Sequence, residues 1–231
     1  RQMCIRDRVE QPETAEEVLE MASLIKSVHP DDAKAQTAYA DVLYNTGKRP
    51  EAIEAYKIAA DYEESPITVW IQLYDLFINA KDFNSLKTYG ESGIERFPND
   101  ATPLFYAGAA CAQLKEYSCA IKHYEDALKL NIPNPQGRAQ ILSSLGDAYY
   151  NEKNYEKSDS CYDAVLIINP NDAYTLNNYA YYLSLRENKL DKAEKMSRRS
   201  NILEENNSSF QDTYAWIKYM PVSYTHLRAH E

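Results

Sequence analysis

Apolar residues along this chain recur at helical spacing. After Ala139, the residues Leu142, Leu145, Gly146 and Tyr149 fall at i, i+3, i+4 and i+7, one stripe of a 3.6-residue helix. The same stripe returns in every stretch between turn-forming residues, and no alternating strand pattern stands out. Candidate caps precede the stripes: Ser65 before Pro66, Asn99-Asp100 before Ala101, and Asn171-Asp172 before Ala173. The pattern predicts helix pairs at about 33–46 and 50–63, 67–80 and 84–96, 101–114 and 118–130, 138–152 and 156–168, and 173–187 and 190–203. One helix at 13–28 precedes them, and another follows at about 208–219. The expected class is all-α.

The pairs repeat. Aligned at Ala33, Ile67, Ala101, Ala139 and Ala173, the chain shows spacings of 34, 34, 38 and 34 residues. The fourth unit reads Leu142-x2-Leu145-Gly146-x2-Tyr149, then Tyr155, Ser158-x3-Tyr162-x2-Val165-Leu166 and Pro170. Four units carry a small residue at their eighth position (Ala40, Gly108, Gly146, Ala180), where two antiparallel helices approach most closely. This wording resembles the tetratricopeptide repeat, W-x2-L-G-x2-Y…A-x3-F…P over 34 residues. The resemblance implies an α-solenoid of antiparallel helix pairs wound as a right-handed superhelix with a concave inner groove. The units are then 9–32 (one helix of an incomplete repeat), 33–66, 67–100, 101–134, 135–172, 173–207 and 208–220 (the first helix of a cut repeat).

Two places depart from the pattern. The second unit has Tyr74 at the small position, Leu86 in place of Ala, and Gly90 and Gly93 inside its second helix. Each glycine costs about 1 kcal/mol there relative to Ala, so that helix is expected to be weak or repacked around Tyr74. Asn131-Ile-Pro-Asn-Pro-Gln-Gly137 adds four residues between the third and fourth units and is the candidate for a break in stacking.

In the family the groove is lined by the first helix of each unit. Carried onto this chain, the lining includes Thr37, Asp41, Tyr44 and Asn45, then Asp75 and Asn79, Phe105 and Gln113, Asp147, Tyr150 and Asn151, and Asn177 and Tyr181. Three units place Asp one turn before Asn, on one helix face. Carboxamides can grip a peptide backbone, Tyr offers amphipathic contact area, and Asp favours a basic partner. No Lys stands at the fifth position, so the lining does not resemble the carboxylate clamp of chaperone-binding members.

Eight further Tyr residues (39, 56, 117, 124, 149, 155, 162 and 179) sit at repeat-core positions and read as packing. Among the 231 residues there is no Gly-rich phosphate loop, GxSxG, HExxH or CxxC. His29 and His123 have no His or Cys at i+3 or i+4, and Cys111, Cys119 and Cys161 read as buried thiols rather than a disulfide set. No catalytic residue, metal site or cofactor is expected.

The ends read differently from the rest. Residues 1–8 and 221–231 resemble translated sequencing-adapter DNA and are set aside as non-native. That removes four basic and two acidic residues and takes the formal net charge from −10 to −12. An acidic chain is a poor nucleic-acid binder, which disfavours the 35-residue pentatricopeptide RNA-binding class. No apolar run is long enough for a membrane span. The expected function is a non-enzymatic scaffold holding a protein or peptide segment. The alternative is a docking segment of a larger enzyme, such as a glycosyltransferase or sensor kinase. A loose likeness of Asn177-Asn-Tyr-Ala-Tyr-Tyr182 to long bacterial members of the family favours the envelope side over the cytoplasm. The oligomeric state is not encoded in any of these features.

Overall fold

A computed structural model describes the backbone of residues 12–228 and the side chains of residues 15–219. Twelve helices follow one another, with no strand among the described residues. They are α1 (Pro12–Val28), α2 (Ala33–Asn45), α3 (Arg49–Ala60), α4 (Ile67–Ala80), α5 (Phe83–Arg96) and α6 (Ala101–Gln113). Then come α7 (Tyr117–Lys129), α8 (Pro135–Asn151), α9 (Tyr155–Ile168), α10 (Ala173–Leu185), α11 (Leu190–Leu203) and α12 (Ser208–Arg228). The fold is an all-α helical repeat. The adapter-like residues 1–8 lie outside the described residues, and the backbone of α12 runs helical through Arg228.

Most helix starts are set by short polar side chains. Asp32, Asp82, Asp100, Asn134, Asn154, Asp172 and Asn207 each accept from a backbone N–H two or three residues on, at 2.7–3.3 Å. Ser65 is an exception to the expected caps. Pro66 itself is the cap residue of α4, and the Ser65 hydroxyl is buried without a protein partner. The Pro-rich insert also behaves differently from expectation. Asn134 caps α8 and Pro135 stands in its first turn, where proline's missing N–H is harmless. The four added residues therefore lengthen α8 at its N-terminus, and α7 and α8 pack together.

The turn inside each helix pair is one motif used five times. Gly47, Lys81, Lys115, Lys153 and Glu187 take left-handed backbone, with φ between 53° and 78°. In each case the next N–H reaches back to the carbonyl five residues earlier: Lys48 to Leu43, Asp82 to Phe77, Glu116 to Cys111, Asn154 to Tyr149, Asn188 to Leu183. This is the Schellman arrangement, which satisfies carbonyls the helix end leaves open.

The chain divides into two compact units, residues 1–110 and 111–231. In the first, the core gathers Ala40, Leu43, Tyr56, Trp70, Leu73, Tyr74, Phe77 and Leu86. The second unit repeat is repacked around Tyr74, whose ring is fully buried and whose hydroxyl donates to the Tyr89 carbonyl at 3.2 Å. The two glycines of α5 make the room. A Cβ on Gly93 would stand 2.0 Å from the Tyr74 hydroxyl, and one on Gly90 would meet the Ala107 backbone at 3.0 Å. The large residue has moved to the first helix and the small ones to the second. In the other unit, Tyr162, Leu176, Tyr179, Leu183, Ala193, Met196 and Ile217 form the core. There the expected small position holds, because a Cβ on Gly146 would press into the Tyr162 ring at 3.0–3.3 Å.

Candidate functional site

The predicted lining residues all lie on first helices, but the structure gives them different work. In the first unit, Asp41 on α2 accepts the hydroxyl of Tyr56 on α3, and Asp75 on α4 accepts that of Tyr106 on α6 at 2.8 Å. Thr37 is tied to the Ala33 carbonyl of its own helix at 2.8 Å. Tyr44 is half-buried beneath the Arg49 guanidinium, 5.0 Å from the ring centre. Phe105 stands edge-on to Tyr106 at 5.5 Å. Asn45 and Asn79 are exposed.

The second unit brings several of them together. Asp147, half-buried on α8, accepts two tyrosine hydroxyls, Tyr162 at 2.6 Å and Tyr182 at 3.1 Å. The Tyr182 ring also stacks on Tyr150, with centroids 3.9 Å apart and planes 23° from parallel. Tyr182 thus joins Asp147 to Tyr150, a link the repeat positions do not reveal. Its only sequence signal is its place in the Tyr179-Ala-Tyr-Tyr182 run. Around this pair stand Tyr155, 5.4 Å from Tyr150, and Tyr181, 5.9 Å from Tyr182 and 40% exposed. Arg186 lies over the Tyr155 ring at 4.8 Å and is held by Asp159. Asn151 is exposed and donates to the Asp147 backbone carbonyl at 2.8 Å rather than to its side chain. Asn177 is buried, and its Oδ1 has no protein partner. Gln113 is exposed.

The electrostatics follow from burial. Desolvation raises the Asp147 carboxyl above the ordinary aspartate value, while the hydrogen bonds from Tyr162 and Tyr182 pull the other way. Both hydroxyls are raised above the usual tyrosine value, first by burial and then by the neighbouring carboxylate. The group therefore offers hydrogen-bond capacity and aromatic surface. It contains no nucleophile paired with a base.

The tyrosines predicted as packing divide. Tyr56, Tyr124, Tyr149, Tyr162 and Tyr179 are buried, Tyr39 and Tyr117 are half-buried, and Tyr155 is 37% exposed. The cysteine expectation is corrected. Cys111 at the end of α6 and Cys119 on α7 form a disulfide, with Cα atoms 5.8 Å apart, and among the described residues Cys161 alone is a buried free thiol. The hairpin at Lys115 folds α7 back beside α6, which spacing along the chain does not show. His123 lies with this pair: the ligand atoms of Cys111, Cys119 and His123 are within 4.8 Å of one another. Cys119 precedes His123 by four residues, one turn back, so a search forward from the histidine misses it. No described helix is long and apolar enough to cross a membrane.

Two family models, both described as tetratricopeptide repeat, match residues 8–66 and 139–172. No curated protein matches the chain in sequence. Among solved structures, the C-terminal part of a TPR repeat-containing protein from Cytophaga hutchinsonii aligns with a TM-score of 0.69 and 16% identity, covering 96% of this chain and 88% of that one. YrrB, described as a TPR protein with an unusual peptide-binding site, aligns at 0.64 and 16%, covering 84% and 97%. A chain of the APC/C Cut9–Hcn1 hetero-tetramer aligns at 0.66 and 21%, covering 89% of this chain. This chain spans only 40% of that partner's length. At such identities the likeness to these three is one of fold, whereas the repeat wording and the family matches concern the sequence itself. This chain carries tetratricopeptide repeats over both matched segments, 8–66 and 139–172.

Proposed function

We propose that this chain is a non-enzymatic protein–protein interaction scaffold that takes a peptide along the inner face of its first helices. The observation that carries the reading is the Asp147–Tyr182–Tyr150 cluster of the second unit. Tyr150 and Tyr181 present aromatic surface at little entropic cost, and Asn151 adds an exposed carboxamide. The Asp147 carboxylate accepts two hydroxyls and has lone pairs for a further donor. That chemistry suits an extended peptide bearing a Lys or Arg side chain. The equivalent face of the first unit, with Asp41, Asn45, Asp75 and Asn79, has the same donors and acceptors.

The test uses residues whose loss leaves the core intact. Peptides selected from a displayed library against the wild-type chain are measured by titration against a Y150A/N151A/Y181A variant. Affinity should fall at least about tenfold, the 1.4 kcal/mol equivalent, with an unchanged circular dichroism spectrum. Selected peptides should be enriched in basic residues. Equal affinity for both chains overturns the assignment of the site.

A further inference from the structure

We propose that Cys111, Cys119 and His123 form a redox-gated site for a zinc-class divalent metal ion. The three side chains come from two helices that meet only because the Lys115 turn reverses the chain. Cys111 is fully buried at the end of α6, while Cys119 and His123 are half-exposed on one face of α7, one turn apart. Their donor atoms lie within 4.8 Å of one another. A tetrahedral zinc ion with sulfur at about 2.3 Å and nitrogen at about 2.0 Å holds such donors about 3.5–3.8 Å apart. The set therefore converges on one ion with side-chain adjustment and no backbone rearrangement. Two sulfurs and one imidazole suit zinc over magnesium or calcium, which take oxygen ligands. Among the described residues three donors meet here, and the fourth position is left to water or an incoming ligand, as in open catalytic rather than closed structural zinc sites.

The disulfide is the closed form of this site. Its sulfurs are bonded to each other and neither can serve as a thiolate ligand. A small-molecule dithiol opens it by exchange: two electrons and two protons pass to the cysteines while the reductant closes to its own disulfide. The ion then binds both sulfurs as thiolates and the imidazole as a neutral ligand, and the two thiol protons leave to solvent. Exchange with an oxidised small-molecule disulfide reverses this and expels the ion. Cys161 takes no part, since burial pushes its thiol up to about 11 and keeps it protonated.

The experiment uses the full chain carrying Cys4→Ser and Cys161→Ala, so that only the two hairpin cysteines titrate. The oxidised protein should show no free thiol, and the reduced and desalted protein two. Cobalt(II) is added as a spectroscopic stand-in, followed by zinc. The reduced chain should develop a thiolate-to-cobalt charge-transfer band that saturates at one equivalent and is bleached by zinc, and the oxidised chain should develop none. His123→Ala, which keeps both sulfurs, should weaken cobalt binding at least about tenfold, the scale on which even outer-shell losses act. Cys119→Ser should abolish the band with helicity unchanged. Absence of the band in reduced protein, an equal band in oxidised protein or in Cys119→Ser, or unaltered affinity in His123→Ala each overturns the site.

Discussion

Tyr74 and Gly93 occupy one space, and neither residue explains itself alone. A methyl group on Gly93 has no room beside the Tyr74 hydroxyl. Gly93→Ala should therefore cost about 1–3 kcal/mol of overpacking, although Ala is the better helix former by about 1 kcal/mol. Tyr74→Phe removes the clashing oxygen, so the double variant should be more stable than the sum of the two changes predicts, by at least about 0.5 kcal/mol. Chemical denaturation of the four proteins measures the cycle, and strict additivity would show that the two residues do not share the site. Asp147 makes the second case at this scale. Its raised carboxyl binds a proton more tightly in the folded chain than in the unfolded one. The resulting stability is full below the unfolded aspartate pKa and is lost as pH rises through the folded value. Asp147→Asn keeps an acceptor for Tyr162 and Tyr182 but cannot titrate. The wild-type melting temperature should thus fall relative to the variant as pH rises from the ordinary aspartate range. Parallel curves would contradict the buried-carboxyl reading.

Among elements, the hairpin turn is the recurring unit of construction. Few glycines suggest few special turns, yet each of the five hairpins uses a left-handed residue, and four of those are Lys or Glu. A side chain in that conformation costs about 1–2 kcal/mol, which glycine avoids at the expense of about 0.4–1 kcal/mol of added freedom in the unfolded chain. Lys153→Gly, at an exposed position, should then raise stability by up to about 1 kcal/mol, read as a shift in the urea midpoint. A lower midpoint would mean that the Lys153 side chain contributes more than its backbone costs. The sequence holds the periodic signal for these turns, since all five fall at the fifteenth position of their units. Residue type conceals it, because only Gly47 carries the expected identity. The Pro-rich insert was misleading for the opposite reason. Pro135 looks like a breaker but starts α8, because proline's missing N–H falls among donors that have no helical partner.

On the scale of the whole molecule, the helical repeat could be read from the chain because it depends on local order. A 34-residue period and a 3.6-residue apolar stripe fix helix pairs through backbone geometry and burial alone. The candidate site was legible only in part. Repeat position put Asp147, Tyr150 and Tyr181 on first helices, but it could not show that Asp41, Asp75 and Asp147 are already bonded to tyrosine hydroxyls. Nor could it show that Tyr182 bridges two of the predicted residues. The disulfide and its neighbouring histidine were hidden because their proximity is created by a chain reversal. By itself, then, the sequence determined the helices, their pairing and the repeat, which follow from short-range periodicity. Tertiary structure decided which polar groups spend their hydrogen bonds internally, where Tyr74 finds room, and which cysteines meet. Those outcomes depend on distances between neighbouring helices, and residue spacing along one helix does not contain them.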